Sequence, residues 1–168
     1  AGATIERPDL VRRLAVLNGV YRRSPDARKA VLARARHLVQ GRIDREAPIS
    51  RWFTERPSEQ QARAAVADWL QRVDPVGYAT AYQAFAEGDS TYADRWPEIR
   101  CPPLALTGAE DPNSTAAMAE AMAAAVVGGK ALVIPGERHM VNLTAPEKVN
   151  EALRAWLARE LQPEEASA

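Results

Sequence analysis

The sequence is poor in the residues on which several kinds of protein depend. Of its 168 residues one is Cys and two are His, and those histidines, His37 and His139, stand 102 positions apart. A single Cys excludes a disulfide framework and any zinc site built on cysteines. No His-rich or paired-carboxylate spacing points to another metal, and no organic cofactor is implied. An excess of one charge is lacking too, since 22 Lys+Arg balance 22 Asp+Glu, whereas a nucleic-acid binder carries a basic footprint. The imbalance between regions is mild, with 17 basic against 13 acidic groups over 1–100 and 5 against 9 over 101–168. Solvated helix faces account for a split of that size. The longest apolar stretch, Ala116–Val127, is broken by Glu120 and is far short of a membrane span. No basic-then-apolar segment opens the sequence. The expectation from these absences is a soluble, cytoplasmic protein with room for one domain's core. The first residues are Ala1-Gly2-Ala3-Thr4 rather than Met, so the sequence is expected to be trimmed or to be a piece of something longer.

What is present divides at Pro97. The first 96 residues read as successive helices. Pro8 opens a stretch with Leu10, Val11, Leu14, Ala15 and Leu17 at helical spacing. Ser24-Pro25-Asp26 supplies an N-cap, a proline at the first helical position and an acid in the first turn of a helix ending near Gly41. Residues 43–53 form a shorter helix interrupted by Pro48. Ser58 and Gln61 have capping-box spacing ahead of a helix carrying Val66, Trp69 and Leu70. Asp74-Pro75 caps another, with Tyr78, Tyr82 and Phe85 on one face.

From Pro97 the texture changes. Leu104–Gly108 (LALTG) is a short apolar run ending in Gly, the pattern of a buried strand delivering a loop. A helix over Thr115–Val127, a second strand at Lys130–Gly136 (KALVIPG), a loop and a final amphipathic helix from Pro146 follow. Residues 97–162 therefore read as a βαβα unit with a parallel pair, and 163–168 as a polar tail. The fold class is α/β. Two parallel strands do not make a sheet buried on both faces, and no other segment reads as a strand, so the rest of the sheet is expected elsewhere.

Two residues in this region bear chemistry. Asp111 lies just past the first strand, and His139 just past the second. The C-terminal edge of a parallel sheet is where open α/β folds place reactive groups. A carboxylate that orients an imidazole, and an imidazole that exchanges protons near neutral pH, form two-thirds of a nucleophile–base–acid triad. Read singly, Asp111-Pro112 is also ordinary turn chemistry, and His139 a surface-loop histidine. Adjacent strand ends are what join them.

The stretches PPLALTGAEDPNS and VIPGERHMVNLTAPEKVNEAL resemble the last third of the α/β-hydrolase fold. In that family an LTGxxDP loop carries the triad acid and an IPGxxHMxxLxxPExVN segment the triad histidine. The resemblance implies Asp111 as acid and His139 as base, 28 residues apart. The preceding helices, residues 1–96 with the start of the chain, resemble the cap such enzymes carry. SRWFT (Ser50–Thr54) and DPVGYATAYQAFAEGD (Asp74–Asp89) are similar to caps of the 3-oxoadipate enol-lactonase type. This similarity places Trp52 at the substrate pocket, with Met140 as an apolar wall beside His139. For the other aromatics, Trp69, Tyr78, Tyr82, Phe85 and Trp96, core packing and a pocket-facing role both remain open.

The sequence departs from the family at the nucleophile. No Gly-x-Ser-x-Gly elbow surrounds Ser24, Ser50, Ser58, Ser90, Ser114 or Ser167, and the glycine-bearing oxyanion loop is absent. Cys101 would sit at the wrong end of its strand. The expectation is the C-terminal part of a serine hydrolase of small esters or lactones, comprising a helical cap plus the last two parallel strands and their helices. A missing N-terminal segment or partner chain would bear the Ser and the oxyanion loop, and the two-chain unit is open to homo-oligomerisation. A C–C bond hydrolase, acyltransferase or dehalogenase on the same fold is the alternative, as is a helical interaction module without catalysis. No nucleic acid or membrane partner is expected.

Overall fold

The computed structural model describes residues 1–41 and 43–159. The polar tail expected at 163–168 lies outside the described residues. Clustering of contacts divides the chain into two units, one made of Ala1–Tyr21 and Tyr92 onward, the other of Arg22–Thr91.

The first unit is built on three parallel strands in the order β1-β2-β3, where β1 is Leu14–Leu17, β2 Pro103–Gly108 and β3 Lys130–Ile134. Leu14 pairs with Pro103 and Leu17 with Leu106, while Leu104 faces Lys130 and Gly108 faces Ile134. All six residues of β2 are buried, as an apolar run between two parallel neighbours should be. Its side chains alternate between faces. Ala105 joins Ile5, Tyr21, Trp96, Ile99 and Met122 on one side, whereas Leu106 joins Ile134, Val141 and Val149 on the other. Helix α1 (Gly2–Glu6) contributes Ile5 to the first cluster, and α6 (Ala116–Ala124) contributes Ala119 and Met122. The short α7 (Val141–Thr144) and α8 (Pro146–Ala158) cover the second face. Cys101 is a buried member of the first cluster, and burial pushes its thiol up from the ordinary range.

Three expectations are corrected here. The sheet has three strands rather than two, and residues 14–17 form one of them instead of the end of a helix. The run Leu14-Ala15-Val16-Leu17-Asn18-Gly19 has the same apolar-run-then-loop form as Leu104–Gly108, and a four-residue apolar run is compatible with either period. With its strand, Ala1–Tyr21 belongs to the sheet-bearing unit rather than to the helical segment. Finally, Ser58 makes no capping box. It lies within a 3-10 turn at Pro57–Glu59, and α4 (Gln60–Arg72) begins with no side-chain cap. Glu59 turns instead toward the preceding loop, accepting hydrogen bonds from Thr54 N at 2.6 Å and Arg56 Nε at 2.8 Å.

The second unit, Arg22–Thr91, lies within the connection between β1 and β2. It contains α2 (Pro25–Val39), α3 (Glu46–Trp52), α4 and α5 (Pro75–Glu87). The two expected caps are formed, with Ser24 Oγ accepting from Ala27 N at 3.2 Å and Asp74 Oδ1 from Gly77 N at 2.6 Å. Val31 and Ala35 of α2 pack on Ala86 of α5, with Leu32 and Tyr82 beside them. Among the described residues no helix is long and apolar enough to cross a membrane.

Candidate active site

The ends of the three strands bring four side chains to one place. Asp111 follows β2, its side chain completely enclosed, and His139 follows β3 with 23% of its side chain exposed. His139 Nδ1 and Asp111 Oδ2 are 2.7 Å apart. Two glycines make that approach possible. A Cβ on Gly108 would stand 2.3 Å from the Glu137 carbonyl oxygen, so only Gly allows the acid loop to run beside the histidine loop. Gly136 sits at φ 74°, in the left-handed region that glycine enters without strain. The two loops are then tied by Ala109 N donating to Ile134 O and Glu110 N to Glu137 O, both at 2.9 Å.

The carboxylate of Asp111 is heavily engaged. Oδ1 accepts from Asn113 N at 2.8 Å and Ser114 N at 3.1 Å. Oδ2 accepts from Asn18 Nδ2 at 3.0 Å besides meeting His139. Thr107 Oγ1 approaches the same oxygen at 3.4 Å, but its proton goes to the Ser114 carbonyl at 2.6 Å. Burial pushes the Asp111 carboxyl up; the His139 contact and the Asn113 and Ser114 amides outweigh it and hold the group below the ordinary carboxylate range. A carboxylate that stays ionised accepts from His139 Nδ1–H, which fixes the imidazole tautomer. Proton exchange with a reacting group then falls to Nε2, the division of labour that general base and general acid catalysis requires.

The structure brings together Asp111 and His139, which the sequence singles out, and adds Asn18, which it does not. That residue ends β1 at φ 50°, a conformation Asn tolerates better than most side chains. Its backbone N donates to Leu106 O at 2.8 Å, and its carbonyl accepts from Ser114 Oγ at 2.6 Å. Asn18-Gly19 directly after the apolar run carries the signal, which a helical reading of that run hides.

The other predicted site residues are placed less tightly. Met140 follows His139, half-buried, at the start of α7. Trp52 is half-buried on the last turn of α3, in the second unit. Of the remaining aromatics, Trp96 is core, donating from Nε1 to Met122 O at 2.8 Å. Trp69 and Phe85 are exposed. Among the described residues no group of three or more His, Cys, Asp or Glu side chains gathers closely enough to hold a metal ion.

A family model described as the alpha/beta hydrolase family matches residues 1–152. The chain belongs to the alpha/beta hydrolase family. It is 56% identical over 156 residues to the (E)-2-((N-methylformamido)methylene)succinate hydrolase of Acinetobacter baylyi, covering 93% of this chain and 59% of that protein. Among solved structures it is similar to a thermophilic esterase from Thermogutta terrifontis, with TM-score 0.76 and 26% identity over 92% of this chain and 58% of that one. It is also similar to the enol-lactonase from Burkholderia xenovorans, with TM-score 0.75 over 94% of this chain and 60% of that one. At 22% identity the latter likeness is one of fold. The chain thus spans about three-fifths of the length of these relatives.

Proposed function

We propose that the chain is the C-terminal part of a serine hydrolase of small acyl substrates, in which Asp111 is the acid and His139 the base. The observation that carries this reading is the 2.7 Å contact between the enclosed carboxylate and His139 Nδ1 at the ends of adjacent parallel strands. The serine belongs to a Gly-x-Ser-x-Gly elbow in an N-terminal segment or partner chain. That segment adds its strands beside β1, which is paired on one side only among the described residues and whose four apolar side chains are only half-buried. An apolar strand edge of this kind is a template for further pairing.

The reaction is acyl transfer. The serine oxygen attacks the acyl carbon as His139 Nε2 takes its proton, and Asp111 stabilises the imidazolium. The same proton passes to the departing oxygen or nitrogen, leaving an acyl-enzyme. Water then attacks, giving its proton to His139, and the serine leaves with that proton. Met140, directly after His139, is assigned as an apolar contact for the substrate. Esters and lactones are the first substrates to test. A second reading is favoured by the Acinetobacter baylyi relative, named for hydrolysis of a methylenesuccinate that bears an N-methylformamido group. It extends the bond broken to an amide-type C–N bond.

Native mass spectrometry of the purified protein, followed by a denaturing spectrum, tests the assembly. A Gly-x-Ser-x-Gly elbow found N-terminal to this sequence, on the same polypeptide or on a chain held at 1:1, is the expected result. A stably folded protein of 18.4 kDa alone would overturn it.

A further inference from the structure

We propose that the cavity between α2, α3 and α5 is a binding site for a small organic carboxylate, held by the guanidinium groups of Arg34 and Arg51. The cavity lies wholly within the second unit and has a volume of about 360 Å³, in the size range of small-molecule sites. The proposal does not rest on the catalytic reading, because it concerns binding alone.

The polar groups around the cavity are nearly all donors. Arg51 is half-buried on α3, and its side chain makes no hydrogen bond or ion pair among the described residues. Arg34 of α2 spends one N–H, its Nε donating to Tyr82 Oη at 3.1 Å. A guanidinium carries five N–H donors and no acceptor, so the pair presents a large surplus. The one carboxylate in the lining does not absorb it. Asp44 is exposed, and its Oδ1 already accepts from Glu46 N at 3.0 Å and Ala47 N at 2.9 Å ahead of α3. The ring of Tyr78 stands 6.0 Å from that of Tyr82. Burial raises the Tyr78 phenol, and Arg51 pulls it back only in part, so it is a neutral O–H donor at pH 7.

Two fixed positive charges and a phenol, set against one exposed carboxylate, call for an anionic ligand rich in acceptors. Guanidinium forks match the planar oxygen pair of a carboxylate. Leu38, Ile43, Ala47 and Pro48 supply apolar wall, and His37 completes the lining. The apolar residues offer contact to a hydrocarbon body, which an inorganic oxyanion does not have.

Succinate is the probe, with its dimethyl ester as the neutral control and orthophosphate as the inorganic one. The purified protein is titrated while backbone amide resonances are followed. Succinate is expected to shift the Arg51, Tyr78 and Tyr82 signals, and Arg51→Met to weaken it at least tenfold while keeping the apolar stem. Arg34→Gln should weaken it similarly. Arg51→Lys keeps the charge without the fork, is expected to bind at intermediate strength, and reports if Arg51→Met does not fold. Dimethyl succinate shifting the same signals with equal affinity, orthophosphate binding more tightly than succinate, or unchanged affinity in the Arg51 variants would each overturn the proposal.

Discussion

Among the enclosed carboxylates, Asp89 of the helical unit and Asp111 of the sheet unit are held by opposite kinds of partner. Asp89, in the helical unit, has 3% of its side chain exposed and lies against Arg23 and Arg28. Arg23 is itself buried, at 4.4 Å from the Phe85 ring centroid, and its backbone N also donates to Asp89. Guanidinium groups keep their proton at any ordinary pH, so this arrangement is static. Asp111, in the sheet unit, is as well enclosed, but the ring at its Oδ2 is the imidazole of His139, whose charge is not fixed as a guanidinium's is. Its other donors are backbone amides and the Asn18 amide, which carry no formal charge. Burial alone therefore does not mark a reactive carboxylate. What matters is whether the partner is able to change its charge.

The largest expected effect follows for Asp111. Asp111→Asn in the complete enzyme is expected to lower kcat/KM for a small ester by about 10³–10⁴-fold, by analogy with the loss seen when a triad acid becomes an amide. The fold should survive, since Asn keeps most of the hydrogen-bonding geometry. Asp89→Ala is expected to do the reverse, leaving a buried Arg23 uncompensated. A loss of about 2–4 kcal/mol is anticipated from the cost of breaking buried pairs, at the lower end because Arg28 is 37% exposed. Urea unfolding of both variants checks the contrast. Equal stability losses for the two would erase it.

Gly108→Ala places a Cβ against the Glu137 carbonyl and must spread the two loops. Overpacking of this kind costs about 1–3 kcal/mol, and the His139–Asp111 contact should lengthen, visible as a fall in kcat/KM larger than the fall in stability. Asn18→Gly removes one donor to Asp111 while suiting the positive φ. A hydrogen bond to a charged group contributes about 1.5 kcal/mol at the lower end, so thermal melting should fall by a few degrees and kcat/KM should fall as Asp111 loses a support. An unchanged rate would remove Asn18 from the support of Asp111.

The smallest effect is a pH dependence of stability. The folded Asp111 carboxyl is held below its ordinary value. The stability it contributes is therefore present above the unfolded pKa of ~3.9 and is lost as pH falls through the lower folded value. Unfolding free energies from pH 7 down to pH 2 should show Asp111→Asn lacking part of the wild-type decline in the acid range. Identical declines would contradict the direction of the shift.

The two units also differ in how much of them the sequence revealed. Asp111 and His139 were legible because each stands in a contiguous stretch whose glycines, proline and apolar run all serve one strand-loop geometry. Asn18 was not, since its role depends on a partner 93 residues away and on a four-residue strand too short to show its period. In the helical unit, caps such as Ser24 and Asp74 were legible because they act within one turn. The capping-box spacing at Ser58 misled, because Glu59 is drawn to Thr54 and Arg56 instead. The Arg34–Arg51 cavity left no local trace at all, being assembled from three helices.

The most direct measurement of the central claim is labelling of the purified native protein with a fluorophosphonate, followed by peptide mass spectrometry, for the wild type and for His139→Ala. The account predicts a single modified serine in a Gly-x-Ser-x-Gly elbow N-terminal to this sequence, with labelling slowed by orders of magnitude in the variant. No labelled serine in the wild type, or equal labelling rates in both proteins, would contradict it.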